Sequence, residues 1–149
     1  MAKYAVQANR TASTTASLAT IGADATRPRR GKFYDVIFGS EASPADNAFL
    51  YLVQRCTALG TSTSVTPQAL DPADAATESD AGEAHTIEPT YTAGAVLLAI
   101  ALNQRATFRW VAAPGGELTY PATASNGLGV QTPTASAVAI SSTIHYDES

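Results

Sequence analysis

Hydrophobic positions in this chain fall mostly in short runs, and many of them recur at every second residue. Lys32-Phe33-Tyr34-Asp35-Val36-Ile37-Phe38 is dense in aromatic and β-branched residues and halts at Gly39-Ser40, the pattern of a strand. Ala48 to Cys56 predicts a second strand with apolar groups on both faces, Leu50 and Leu52 on one, Phe49, Tyr51 and Val53 on the other. A strand of that kind belongs at a sheet centre or a subunit interface. A helix is the alternative for this run, because periodicity alone does not separate the two. Further on, Val96 to Leu102 places Val96, Leu98, Ile100 and Leu102 on one face. Thr107 to Ala112 alternates, with Phe108 and Trp110 inward and Arg109 outward. Pro114-Gly115-Gly116 marks a turn, Glu117 to Tyr120 a short strand, and Asn126-Gly127 another turn. Ala137 to Tyr146 alternates Val138, Ile140, Ser142, Ile144 and Tyr146 on one face. Short strands separated by Gly/Pro turns predict an all-β sandwich or barrel. No repeat of 20–50 residues points to a solenoid or propeller.

Two stretches carry weaker patterns. Lys3 to Gln7 predicts a short strand, but Thr11 to Ile21 is small, polar and nearly uncharged, with few residues able to build a core. It reads as an arm laid over another surface or a loosely packed edge strand. The expected division is therefore an extended N-terminal arm over residues 1–31 and a β-sandwich over 32–149. Thr57 to Val65 predicts a turn at Gly60 and a Thr/Ser-rich edge strand. Pro67 to Asp80 predicts a long acidic surface loop, with one helical turn after Pro72.

Composition narrows the classes. The chain has 149 residues, enough for one self-sufficient core. Only 15% of them are Asp, Glu, Lys or Arg, against a usual share of about 25%. Thr, Ser and Ala replace the missing charge, which disfavours long solvated helices. The single cysteine, Cys56, excludes an intrachain disulfide and is expected as a small buried hydrophobe. No secretory leader pattern is visible, and the apolar run from Ala93 to Leu102 is about half a membrane span. The protein is expected to be made in a cytoplasm, not secreted and without a membrane partner. The net charge of −4 is uneven. Residues 1–32 carry Lys3, Arg10, Arg27, Arg29, Arg30 and Lys32 against Asp24 alone; the remainder carries Arg55, Arg105 and Arg109 against twelve acids. A basic segment on an acidic body suggests docking on a complementary partner. Lys3, Arg10, Arg27, Arg29 and Arg30 are the candidate contact residues. The segment has one aromatic, Tyr4, and no base-reading motif, so nucleic acid is not the expected partner.

Candidate chemistry is sparse. His85 and His145 show no metal-ligand spacing to each other or to Cys56, and are expected as surface or edge residues. No Gly-x-Ser-x-Gly elbow or phosphate-binding loop occurs, and Gly127-Leu128-Gly129 lacks the third glycine of a dinucleotide site. Asp71, Asp74, Glu78, Asp80 and Glu83 form one carboxylate cluster, but its spacing does not match a calcium loop and it is expected as a solvated loop. The sequence therefore predicts no enzyme, cofactor or metal. For a catalytic reading the only candidates are His85 with Asp80 or Glu83. For a carbohydrate-binding sandwich they are Trp110, Tyr120 or the acidic loop.

A resemblance adds to this reading. Arg29-Arg30-Gly31-Lys32-Phe33-Tyr34-Asp35-Val36-Ile37-Phe38-Gly39-Ser40 leads into Pro44-Ala45-Asp46-Asn47. Arg55, Thr61-Ser62-Thr63 and Pro67-Gln68-Ala69-Leu70-Asp71 follow. Phe108-Arg109-Trp110-Val111-Ala112, Pro114-Gly115-Gly116-Glu117 and Asn126-Gly127-Leu128-Gly129-Val130 complete the pattern. Over residues 29–146 the ensemble resembles small structural proteins of tailed bacteriophages, read as capsid decoration (cement) proteins or related head components. The resemblance implies a jelly-roll-like antiparallel β-sandwich. It also implies a homo-oligomer, often a trimer, seated on the outer capsid where major capsid subunits meet, and stabilising it. It carries over no catalytic residue. Other virion parts (a head fibre base, a head–tail connector, a tail protein) fit the same features.

Overall fold

The computed structural model describes residues 1–134 and 137–149. Its regular elements are all strands: β1 (Ala2–Thr11), β2 (Ala19–Ala23), β3 (Gly31–Ala42), β4 (Ala48–Ala58), β5 (Thr61–Ser64), β6 (Gln68–Ala69), β7 (Ser79–Ile87), β8 (Thr90–Asn103), β9 (Phe108–Val111), β10 (Leu118–Tyr120), β11 (Gly127–Gln131) and β12 (Ala139–Glu148). They form two antiparallel sheets. One runs β10-β3-β12-β1-β6, with β9 also on β3; the other runs β5-β7-β2-β11-β4-β8. The Ala48–Cys56 run is thus a strand, and the helical alternative is settled against it.

Setting aside β5, β6 and β7, the orders are β1-β12-β3-β9/β10 and β2-β11-β4-β8, and, with β9/β10 counted as one strand, each but β4 crosses to the other sheet to reach the next. That is the double Greek key of a jelly roll. Along β3, Phe38 to Asp35 pair with β9 and Phe33 to Gly31 with β10. The two short strands are halves of one, interrupted by the Pro114-Gly115-Gly116 turn.

The core lies between the sheets. Val6, Phe33, Phe38, Ile140, Ile144 and Tyr146 face it from one side, and Ile21, Tyr51, Val53, Leu128 and Val130 from the other. Phe38 stacks on Tyr51 across the gap, ring centroids 4.4 Å apart. Cys56 is buried as expected, and burial pushes its thiol up to about 11.

The division at residue 31 is corrected by this architecture. β1 lies between β12 and β6, with Tyr4, Val6 and Ala8 buried, and β2 is buried along its whole length between β7 and β11. Small residues suit β2 because the sheet is covered on both faces there. Gly129 on the neighbouring β11 shows why: a Cβ on it would sit 2.2 Å from the Tyr91 hydroxyl, so glycine alone leaves room for that ring over the sheet. The expected acidic loop is corrected as well, since it contains β6 and opens β7.

Segment 59–89 closes one flank of the sandwich. It adds β5 and β7 to one sheet and β6 to the other. Between them residues 75–79 cross the end of the core and meet three buried tyrosines. Tyr4 donates its hydroxyl to the Ala75 carbonyl, and the hydroxyls of Tyr146 and Tyr120 bond Thr77 and Ser79.

Candidate functional site

The five basic candidates do not form one patch. Arg10 is committed internally, its guanidinium donating to the carbonyls of Thr11, Ser17 and His85. Lys3, at the other end of β1, places its ammonium 5.1 Å from the Tyr34 ring centroid, a cation–π contact. Arg27, Arg29 and Arg30 stay together and exposed on the loop between β2 and β3, where Arg27 pairs with Glu78 at 3.1 Å. The last three remain available to a partner. Arg29 also borders an open hollow of about 230 Å³ with Tyr4, Glu78 and Glu148.

His85 is not a surface residue, because β7 carries it beneath the turn after β4. It is 2% exposed. Its Nδ1 faces the Ser17 carbonyl at 3.2 Å, and its Nε2 lies 3.1 Å from both the Thr20 hydroxyl and the Leu59 carbonyl. Burial holds its pKa below the usual imidazole value despite those carbonyls. Beside it, the Ser17 N–H and hydroxyl donate to the Glu88 carboxylate, and the Tyr91 hydroxyl lies 2.6 Å from the Ser17 oxygen. A serine, a histidine and a glutamate therefore share one cluster. The imidazole addresses the Ser17 carbonyl rather than its hydroxyl, and Ser17 is 1% exposed. Nucleophilic catalysis needs a base on the hydroxyl and substrate access. This network instead fastens the β7–β8 connection over the sheet. Asp80 and Glu83, the partners considered for His85, lie elsewhere: Glu83 accepts the Asn9 N–H at 2.8 Å, and Asp80 is exposed.

A second cluster lies on the outer face of the other sheet. Register brings His145, Asp35 and Val111 into one cross-strand row. Asp35 is 4% exposed and receives Arg109 through two bonds, 2.8 Å from Nε and 2.6 Å from Nη2. His145 Nδ1 is 3.1 Å from the same carboxylate, and the Tyr34 ring stacks on that imidazole. The Arg109 bonds hold the Asp35 carboxyl below the usual carboxylate range. The effect is a clamp that ties β9 and β12 to β3. Sequence reasoning missed it. Its only signal was an acid at the centre of an apolar strand, and its partners lie 74 and 110 residues away.

The acidic residues disperse. Asp71 caps its own turn through the Ala73 N–H, and Glu78 faces Arg27. Among the described residues no group of three His, Cys, Asp or Glu side chains is placed to hold a metal ion. Tyr120 is fully buried and offers no free ring face for sugar stacking, while Trp110 leans on the core from β9 and is partly buried.

What remains open is the flank opposite segment 59–89, where β8 ends one sheet and β9 and β10 end the other. Leu98, Ile100, Leu102, Trp110 and Leu118 pack on the core from there but are only partly buried. Val96, Phe108 and Val111 are exposed, Val111 at 58%. The alternation at Val96–Leu102 identified the strand but not its edge position, and Phe108, expected inward, is exposed. No protein-family model, no curated protein and no solved structure matches the chain.

Proposed function

We propose that the chain is a structural component of a virus particle: a decoration (cement) protein on the outer surface of a tailed-phage head, bound to the major capsid protein where its subunits meet. The observation that carries this reading is the strand order, since the jelly roll is an architecture shared by capsid and lectin domains. The polar clusters favour the capsid side of that pair. The Ser17–Glu88–His85 network is turned inward and the Asp35–Arg109 pair clamps strands together. Tyr120 is packed in the core rather than presented. Function then falls to the outer surface, with the exposed Arg27, Arg29 and Arg30 as the capsid-facing charges.

The test is copy number and position in purified particles. Labelled protein is expected in many copies over the head. A few copies at the neck, at a fibre base or in the tail would assign it to another virion part, and absence from the particle would overturn the proposal. In sedimentation with heads, Arg29→Glu with Arg30→Glu is expected to weaken binding about tenfold or more without unfolding the domain, because both side chains are exposed.

A further inference from the structure

The outer face of the sheet is indented where β5, β7 and β2 meet. Ser64, Gly82 and Thr20 fall in one cross-strand row, and Asp80 lies two residues from Gly82, on the same face of β7. With glycine at the centre of that row, no side chain stands there. A Cβ on Gly82 would come within 1.9 Å of the Ser62 Oγ, so the serine leans into the space that glycine leaves. The turn after β4 walls one side with Leu59 and Gly60. The result is an open hollow of about 310 Å³. Thr20 closes its back, with its hydroxyl already engaged by His85. The hydroxyls of Thr61, Ser62 and Ser64 and the Asp80 carboxylate border the hollow and make no hydrogen bond to any described residue.

We infer that this hollow is a binding site for a single neutral sugar residue. Three of its four free polar groups are hydroxyls, which both donate and accept, as the hydroxyls of a sugar do. The fourth, the Asp80 carboxylate, accepts from two ligand hydroxyls at once, and Leu59 offers an apolar wall to the C–H groups of a ring. The volume lies at the lower end of the range for small-molecule sites, about 300 Å³, which suits one pyranose and little more. Charge narrows the class further. No Lys or Arg lines the hollow, so a phosphate or carboxylate ligand would meet only the Asp80 charge. A lone ammonium would find one carboxylate in an open, hydrated setting, where an ion pair gains little, and no aromatic ring to lie against. The site uses neither Trp110 nor Tyr120, the rings that the sequence offered for sugar contact. It is also separate from the Arg29 and Arg30 side chains, so it stands or falls independently of the placement on a particle.

Chemical-shift mapping on the isotope-labelled full chain tests it, with the methyl glycosides of glucose, galactose, mannose, rhamnose and N-acetylglucosamine as probes. At least one is expected to bind with a dissociation constant on the order of 10 mM and to move the amides of residues 59–64 and 80–82. Asp80→Ala is expected to weaken that binding about tenfold or more and to leave the rest of the spectrum unchanged, because the side chain is exposed. Asp74→Ala, which removes an exposed carboxylate outside the hollow, is expected to leave binding intact. Methylammonium at the same concentrations is expected to move those amides less than the best glycoside does. Silence toward every glycoside up to about 100 mM overturns the inference. So do shifts centred elsewhere, an equal or larger response to methylammonium, or binding that survives Asp80→Ala or is lost with Asp74→Ala.

Discussion

The two flanks of this sandwich are finished in opposite ways. On one, 31 residues between β4 and β8 wrap from sheet to sheet, cap three core tyrosines, bury a histidine and tie a part-buried glutamate into the Ser17 network. On the other, the core reaches the surface along β8 and β9 with only the Asp35–Arg109 clamp outside it. The difference separates two uses of sequence. The closed flank spends polar residues on holding the fold. The open flank leaves apolar residues packed on the core but partly exposed at the surface.

The sharpest way to break that contrast is to overfill the covered face of the sheet between the flanks. Gly129→Val drives a side chain into the Tyr91 ring and is expected to cost about 3 kcal/mol in urea unfolding, whereas Val111→Thr on the open flank changes stability by less than about 0.5 kcal/mol. Glu88→Ala comes next. It leaves the Ser17 N–H and hydroxyl without their carboxylate, and a loss of about 2 kcal/mol is expected by the same measurement. The smallest effects come from pH, and they distinguish the flanks by where they fall. The folded pKa of His85 is lowered, so its contribution is present above an unfolded value of about 6.5 and is lost as the pH drops through the folded one. The Asp35 pKa is lowered too, but from an unfolded value of about 3.9, so the clamp holds until the solution is more acidic than that. Melting temperatures measured from pH 7 to pH 2 are expected to fall in two stages, with His85→Gln removing the first and Asp35→Asn the second. A single stage unaffected by His85→Gln would remove the buried network from this account.

The flanks also differ in how far they could be read in advance. Strands facing the core on one side alternate in the chain, and β8, β9 and β12 were visible for that reason, while β3 and β4 stood out as dense runs of aromatic, β-branched and other apolar residues. β2, β7 and β11 were not. They lie beneath Leu59, Tyr91 and the β4–β5 turn as well as over the core, so small residues and glycine replace the alternation: Ala-Thr-Ile-Gly-Ala in β2, Gly-Leu-Gly in β11. β7 was further masked by Asp80, Glu83 and His85, a composition that reads as solvated when its partners are unknown. The basic residues misled in the opposite direction. Lys3 and Arg10 looked like one arm with Arg27, Arg29 and Arg30 because they are close in sequence. An extended β1 separates the first two by about 23 Å, and only the last three share a loop.

The gap between β9 and β10 has a practical consequence. Both halves hold the same edge of β3, and the chain between them leaves and returns without taking a place in either sheet. Gly115 at its tip, with φ +82°, has open space where a side chain would stand. Extra peptide spliced in there would lengthen an excursion already present and leave every ladder in register. The molecule thus carries a ready position for displaying a foreign epitope.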